Sequence, residues 1–141
     1  MAIRVVLADD SPAVRDVLAE ILTESSEIDL VALADDEPTL LAAIEAFRPD
    51  VVVTDVRMPP TATDEGVRVA ESLATTHPDI GVVILSQYSD PLWLSRVLDG
   101  GSENRAWVMK ERVADRGQLI TAVRTVHQGQ RWIDPSVIAL G

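Results

Sequence analysis

The sequence predicts an α/β fold of five successive βα units, with a parallel sheet covered by helices on both faces. Three observations lead there. Short unbroken runs rich in Val and Ile recur along the 141 residues. Longer segments with apolar residues at helical spacing separate them. Proline and glycine mark the junctions. Strict alternation of this kind forces crossover connections, and crossovers give parallel strands with helices on both sides.

The elements follow in order. Ile3–Ala8, Asp29–Ala34, Val51–Thr54, Gly81–Leu85 and Ala106–Met109 read as buried strands. Val14, Val17, Leu18, Ile21 and Leu22 make one helical stripe after the first strand. Leu40, Leu41, Ile44 and Phe47 make the second, and Val69, Ala70 and Leu73 the third. Trp93, Leu94, Val97 and Leu98 mark the fourth, and Leu119, Ile120, Val123 and Val126 the fifth. Ser11-Pro12 and Asp90-Pro91 each set a capping side chain before a proline at the first helical position. Glu37-Pro38 offers the proline without the best cap. Gly100-Gly101 and Gly129 stand where helices would stop.

Composition narrows the function classes. The chain has no cysteine, which excludes disulfides, thiolate metal sites and a cysteine nucleophile. Twelve basic against 23 acidic residues give a net charge of −11, so these residues alone have no general attraction for nucleic-acid phosphates. No apolar run approaches the 18 or so residues of a membrane span, and no membrane partner is expected. Residues 1–7 lack a signal-peptide core, which predicts a cytoplasmic protein.

In an open α/β sheet, ligands sit outside the carboxyl ends of the strands. Asp9 and Asp10 follow the first predicted strand, Asp55 the third, Ser86 the fourth and Lys110 the fifth. Taken singly, each is an ordinary loop acid, turn hydroxyl or surface charge. Their coincidence at strand ends is what carries information. Lys110 is also the only lysine in a chain that otherwise uses arginine. Lysine is a compact charge suited to a single oxygen. Two carboxylates about 5 Å apart repel by about 3 kcal/mol at an effective dielectric near 20. A hard divalent cation relieves that repulsion, and an all-oxygen ligand set favours Mg²⁺ or Mn²⁺. A carboxylate beside such an ion can attack phosphorus to give an acyl phosphate. An ammonium and a hydroxyl would then hold the phosphoryl oxygens.

These residues resemble a response-regulator receiver domain, the CheY-like (flavodoxin-like) fold of two-component signalling. The resemblance covers roughly residues 2–128. It rests on Val5-Val6-Leu7-Ala8-Asp9-Asp10-Ser11, Val53-Thr54-Asp55-Val56-Arg57-Met58-Pro59, Ile84-Leu85-Ser86 and Ala106-Trp107-Val108-Met109-Lys110. It implies a doubly wound sheet of strand order 2-1-3-4-5, in a signalling module and not a turnover enzyme. Asp55 would accept a phosphoryl group from a phosphohistidine of a sensor histidine kinase. Asp10, Asp55 and the backbone carbonyl of Arg57 would ligate Mg²⁺, with Asp9 acting largely through water. Lys110 would pair with the phosphoryl group and Ser86 would hydrogen-bond to it. Trp107 matches the aromatic that turns inward as Ser86 follows the phosphate. The fourth helix, fifth strand and fifth helix would form the readout face, and phosphorylation could promote a homodimer.

Departures from the pattern carry expectations of their own. The loop Pro59–Gly66 is a few residues longer than the usual turn after the phosphoacceptor strand. Arg57 and Tyr88 would flank an attacking water, and their bulk predicts slow self-dephosphorylation. Glu103-Asn104-Arg105 replaces a small, glycine-containing turn before the fifth strand. Residues 129–136 (Gly129-Gln130-Arg131-Trp132-Ile133-Asp134-Pro135-Ser136) resemble the segment joining receivers to a LuxR-type helix-turn-helix in the NarL-like subfamily. On that reading the receiver spans 1–128, and 129–141 begins a linker toward a C-terminal DNA-binding domain absent from this chain. DNA would be a partner only through that domain, with transcription as the output. Asp134-Pro135 there reads as one more helix start.

Alternatives differ at named positions. An aspartyl-nucleophile, Mg²⁺-dependent phosphatase of the haloacid dehalogenase type wants a second acid two residues past the nucleophile, and that position is Arg57. A nucleotide or flavin module needs a phosphate-cradling loop after the first strand, where Asp9-Asp10 would repel phosphate. A receiver working by protein contacts without phosphorylation is the remaining alternative. His77 and His127 are isolated and carry no catalytic or metal role.

Overall fold

Most of the Val- and Ile-rich runs are apolar on both faces and form strands buried between two helical layers. The run at 28–34, expected to be buried, lies at the sheet edge with Asp29 and Leu33 exposed and Leu30, Val31 and Ala32 half-buried. The structure, a computed structural model, describes residues 2–59, 61, 63–87, 91–98, 103–110 and 116–134. The elements are β1 (Ile3–Ala8), α1 (Pro12–Glu24), β2 (Ile28–Ala34), α2 (Glu37–Phe47), β3 (Val51–Asp55), α3 (Glu65–Thr76), β4 (Gly81–Ser86), α4 (Pro91–Leu98), β5 (Arg105–Met109), α5 (Arg116–His127) and β6 (Trp132–Ile133). All pairings are parallel, in the order β2-β1-β3-β4-β5-β6. The expected 2-1-3-4-5 order is present. The sixth strand is an addition: two residues that the sequence places in a linker pair with Ala106 and Trp107 of β5. A two-residue strand carries no periodicity from which to read it.

Strand side chains alternate between two cores. Val6, Ala8, Val52, Val82, Ile84 and Trp107 face α2, α3 and α4. Val5, Leu7, Val51, Val53, Val83 and Val108 face α1 and α5. The helical stripes are narrower than the sequence suggests. Leu18, Ile21 and Leu22 are buried in α1, but Val17 is 52% exposed. It lies one residue, about 100° around the axis, from Leu18. In α2 the buried set is Leu40, Ala43 and Ile44. Leu41 and Phe47 are largely exposed, the latter at the helix end.

The helix starts explain where loops meet the strand ends. Ser11 caps α1 through Val14 N, with Pro12 as the first helical residue. In α2 the cap is Asp36, one residue before the Glu37-Pro38 pair: Thr39 N donates to Asp36 Oδ1 at 2.8 Å, and Thr39 Oγ1 accepts from Asp36 N at 3.3 Å. α4 does begin at Pro91, while Asp90 and Gly100-Gly101 lie outside the described residues. β5 begins one residue earlier than the apolar run, at a fully buried Arg105. Its guanidinium donates to the carbonyls of Ile80, Asn104 and Ala70 and to Asn104 Oδ1. Burial lowers its pKa to about 10. This brace takes the place of a small turn. Among the described residues, no helix is long and apolar enough to cross a membrane.

Candidate functional site

The carboxyl ends of β1, β3, β4 and β5 bring Asp9, Asp10, Asp55, Ser86 and Lys110 to one pole of the sheet. Carboxylate oxygens of Asp9, Asp10 and Asp55 lie within 4.8 Å of one another. Asp9 and Asp55 are buried and Asp10 is exposed. Lys110 Nζ stands 2.9 Å from both Asp9 Oδ2 and Asp55 Oδ2. Ser86, the last residue of β4, is buried and lines the same pocket. The pocket holds about 400 Å³ and is lined also by Ser11, Val14, Arg57, Gln87 and Trp93.

Local structure fixes each acid. Asp9 Oδ1 accepts from Ser11 N at 2.9 Å, and the Asp9 carbonyl accepts from Arg15 Nη1 at 2.9 Å. That leaves Asp9 Oδ2 facing Lys110 Nζ. It is buried, close to Lys110, and accepts no well-angled hydrogen bond. Asp55 is held from behind by α3. A Cβ on Gly66 would lie 2.0 Å from the Asp55 carbonyl oxygen, so only glycine lets the helix start so close. Gly66 N also donates to the Val56 carbonyl at 2.9 Å.

The electrostatics are those of crowded like charges. Burial raises the Asp55 pKa; the Lys110 hydrogen bond opposes this, and Asp9 and Asp10 add to the rise. Burial pulls Lys110 down, but its contacts to Asp55 and Asp9 outweigh that and leave its pKa raised. Among the described residues, three carboxylates against one ammonium leave two uncompensated negative charges. An all-oxygen donor set and a charge deficit of two fit a hard divalent cation.

The remaining sequence expectations fall as follows. Trp107 is fully buried in the core beside α3 and α4, and its indole Nε1 has no hydrogen-bond partner among the described residues. Arg57 is exposed, its guanidinium 5.4 Å from the Trp93 ring centroid. Tyr88 lies outside the described residues. The long loop after Asp55 is organised by Glu65. Its buried carboxylate accepts from Thr61 N, Thr61 Oγ1 and Thr63 N. Sequence reasoning missed Glu65, Gly66 and Trp93. A glycine opening a helix soon after the central acid was the one usable signal among them. His77 pairs at 3.4 Å with exposed Glu45, far from these residues in sequence and element.

Comparisons with known proteins agree with this geometry. Residues 5–124 match the response regulator receiver domain family. The chain is 32% identical over 131 residues to the oxygen regulatory protein NreC of Staphylococcus epidermidis, covering 93% of this chain and 57% of the relative. It is 33% identical over 135 residues to the transcriptional regulatory protein DegU of Brevibacillus brevis, covering 96% and 54%. The chain thus spans little more than half the length of these curated relatives. Among solved structures, it resembles the signal receiver domain of the response regulator NarL from Mycobacterium tuberculosis, with a TM-score of 0.79 and 29% identity over 92% of this chain and 98% of that one.

Proposed function

The chain belongs to the response regulator receiver domains of two-component signalling, and from that premise we propose that Asp55 is its phosphoacceptor. The observation that carries the reading is Lys110 Nζ at 2.9 Å from both Asp55 and Asp9, at the mouth of a pocket rimmed by a third carboxylate. An Asp55 carboxylate oxygen attacks phosphorus. The bond from phosphorus to the donor's nitrogen or oxygen breaks, and its electron pair leaves with the donor. Asp10, Asp55 and the Arg57 carbonyl would hold Mg²⁺ (or Mn²⁺), with Asp9 acting through water. When bound, the ion supplies charge neutralisation for the incoming phosphoryl oxygens. Lys110 pairs with one of those oxygens and Ser86 donates its hydroxyl to another.

Phosphorylation adds roughly −1.5 to −2 charge and three acceptor oxygens. Ser86 ends β4 and Lys110 directly follows β5, the strands that pack against α4 and α5, so that face is the readout. Trp107, on β5 between them in the core, is the packing residue whose fit changes with Ser86. A sensor histidine kinase is the phosphodonor. By analogy with a transcriptional regulator such as DegU, the output is transcription, through a DNA-binding region outside these residues and with a phosphorylation-promoted homodimer. A cytoplasmic location fits such a kinase partner.

The test is incubation with acetyl phosphate or phosphoramidate and Mg²⁺, read by intact mass. The wild-type chain gains one phosphoryl group; Asp55→Asn gains none, and chelating the metal abolishes the gain. A wild-type chain that stays unmodified, or an Asp55→Asn chain modified equally, overturns the reading.

A further inference from the structure

A five-strand sheet would leave the outer edge of β5 open, yet this chain closes it with its own residues. α5 ends in a turn at Gly129, whose φ is +81°, and Gln130 N donates to the Thr125 carbonyl at 3.1 Å. The chain reverses, and Trp132 and Ile133 run parallel to β5. Asp134 then makes two contacts with that strand. Its N–H donates to the Trp107 carbonyl at 2.9 Å. Its Oδ2 accepts from Met109 N at 3.2 Å. In a continuing ladder the next acceptor would be a backbone carbonyl; here a side-chain oxygen replaces it. The following residue, Pro135, has no N–H with which to extend the ladder.

Asp134 is completely buried. A carboxylate taken out of water costs several kcal/mol unless its oxygens are bonded, so merely ending a strand is a poor use of an acid. Among the groups it holds is the last residue of β5, directly before Lys110. Lysine carries its charge on a flexible four-carbon stem, so where Nζ points depends on where the backbone beneath it is fixed. We propose that Asp134 is a positioning residue for the acid pocket: by holding Met109 N, it keeps Lys110 aimed between Asp9 and Asp55. The proposal rests on the phosphoacceptor reading. Coupling is reciprocal, so an anion that engages Lys110 also tightens the segment 132–134.

The 141-residue chain, Asp134→Ala and Asp134→Asn are titrated by calorimetry with Mg²⁺ alone, then with beryllofluoride (a phosphoryl mimic) in saturating Mg²⁺. Asp134→Ala binds beryllofluoride about fivefold or more weakly, while its Mg²⁺ affinity stays within about twofold of wild type. Asp134→Asn keeps an oxygen for Met109 N and recovers wild-type beryllofluoride affinity. In the wild-type chain, beryllofluoride slows amide exchange at 132–134. Asp134→Ala binding beryllofluoride as wild type does overturns this proposal alone, as does a parallel loss of Mg²⁺ affinity, the mark of a merely structural role. A wild-type chain that binds Mg²⁺ but no beryllofluoride overturns the phosphoacceptor reading and this proposal with it.

Discussion

Glu65 is taken wholly out of contact with solvent and still stays ionised. Burial pushes its carboxyl upward, but hydrogen bonds from the Thr61 hydroxyl and the Thr61 and Thr63 amides outweigh that and bring its pKa to about 2. Arg68 Nη2 adds an ion pair at 3.5 Å. A folded pKa below the unfolded one means that the unfolded chain takes up the proton first. The stabilisation is therefore present above the ordinary 4.5 and lost as pH falls from there toward 2. Glu65→Gln should lower stability at neutral pH by about 1–3 kcal/mol. In urea titrations its deficit against wild type should shrink across that acid range. Gly66 is the second telling residue. Gly66→Ala drives a methyl group into the Asp55 carbonyl, and overpacking of this kind costs about 1–3 kcal/mol or more. Chemical denaturation should show that loss, and phosphorylation by acetyl phosphate should slow in the folded fraction because Asp55 is displaced.

At the level of elements, α4 is held by cations from outside itself and on itself. Arg57 stacks on its Trp93. Its own Arg96 reaches Asp64 at 2.8 Å and Glu71 at 2.6 Å, tying it to the start and middle of α3. These pairs are partly exposed, so Arg96→Ala should change global stability by less than about 1 kcal/mol. It should nevertheless speed amide exchange within α4, because the helix spans only eight residues. The five main strands and five helices were readable because the strands are short apolar runs and the helices carry apolar residues at helical spacing. Asp9, Asp10, Asp55, Ser86 and Lys110 were readable because topology alone sends strand ends to one pole. What escaped depends on contacts distant in sequence or too short to have a period. The helix start expected at Asp134-Pro135 runs into residues outside the described ones, and the Asp134 carboxylate accepts from Met109 N across the sheet, a contact 25 residues apart in sequence. Arg105 looks like a surface cation until its carbonyl partners, Ile80 just before β4 and Ala70 on α3, are known. Val17 and Leu41 fit a helical stripe on paper but sit at its margin.

At the scale of the whole molecule, the pole where the strands end gathers three carboxylates, Asp9, Asp10 and Asp55. A cation bound there stabilises by mass action, by about 2.7 kcal/mol at a free concentration one hundred times its Kd. The thermal midpoint should therefore rise with added Mg²⁺. Asp10→Asn should flatten that rise while raising the metal-free midpoint, since Asp10 is one of the charges opposing ionisation of Asp55. A flat midpoint in the wild-type chain across millimolar Mg²⁺ would count against the cation site. The two borders of the sheet differ. On one side β2 carries Asp29 facing outward, and its pairing with β1 slips between Val5 and Val6. On the other, a strand only two residues long is followed by Asp134 and then by the imino acid Pro135. Irregular, charged or truncated borders make poor templates for a neighbour's backbone. Copies of this chain can therefore meet through their helical flanks at high concentration without zipping their sheets together into fibres.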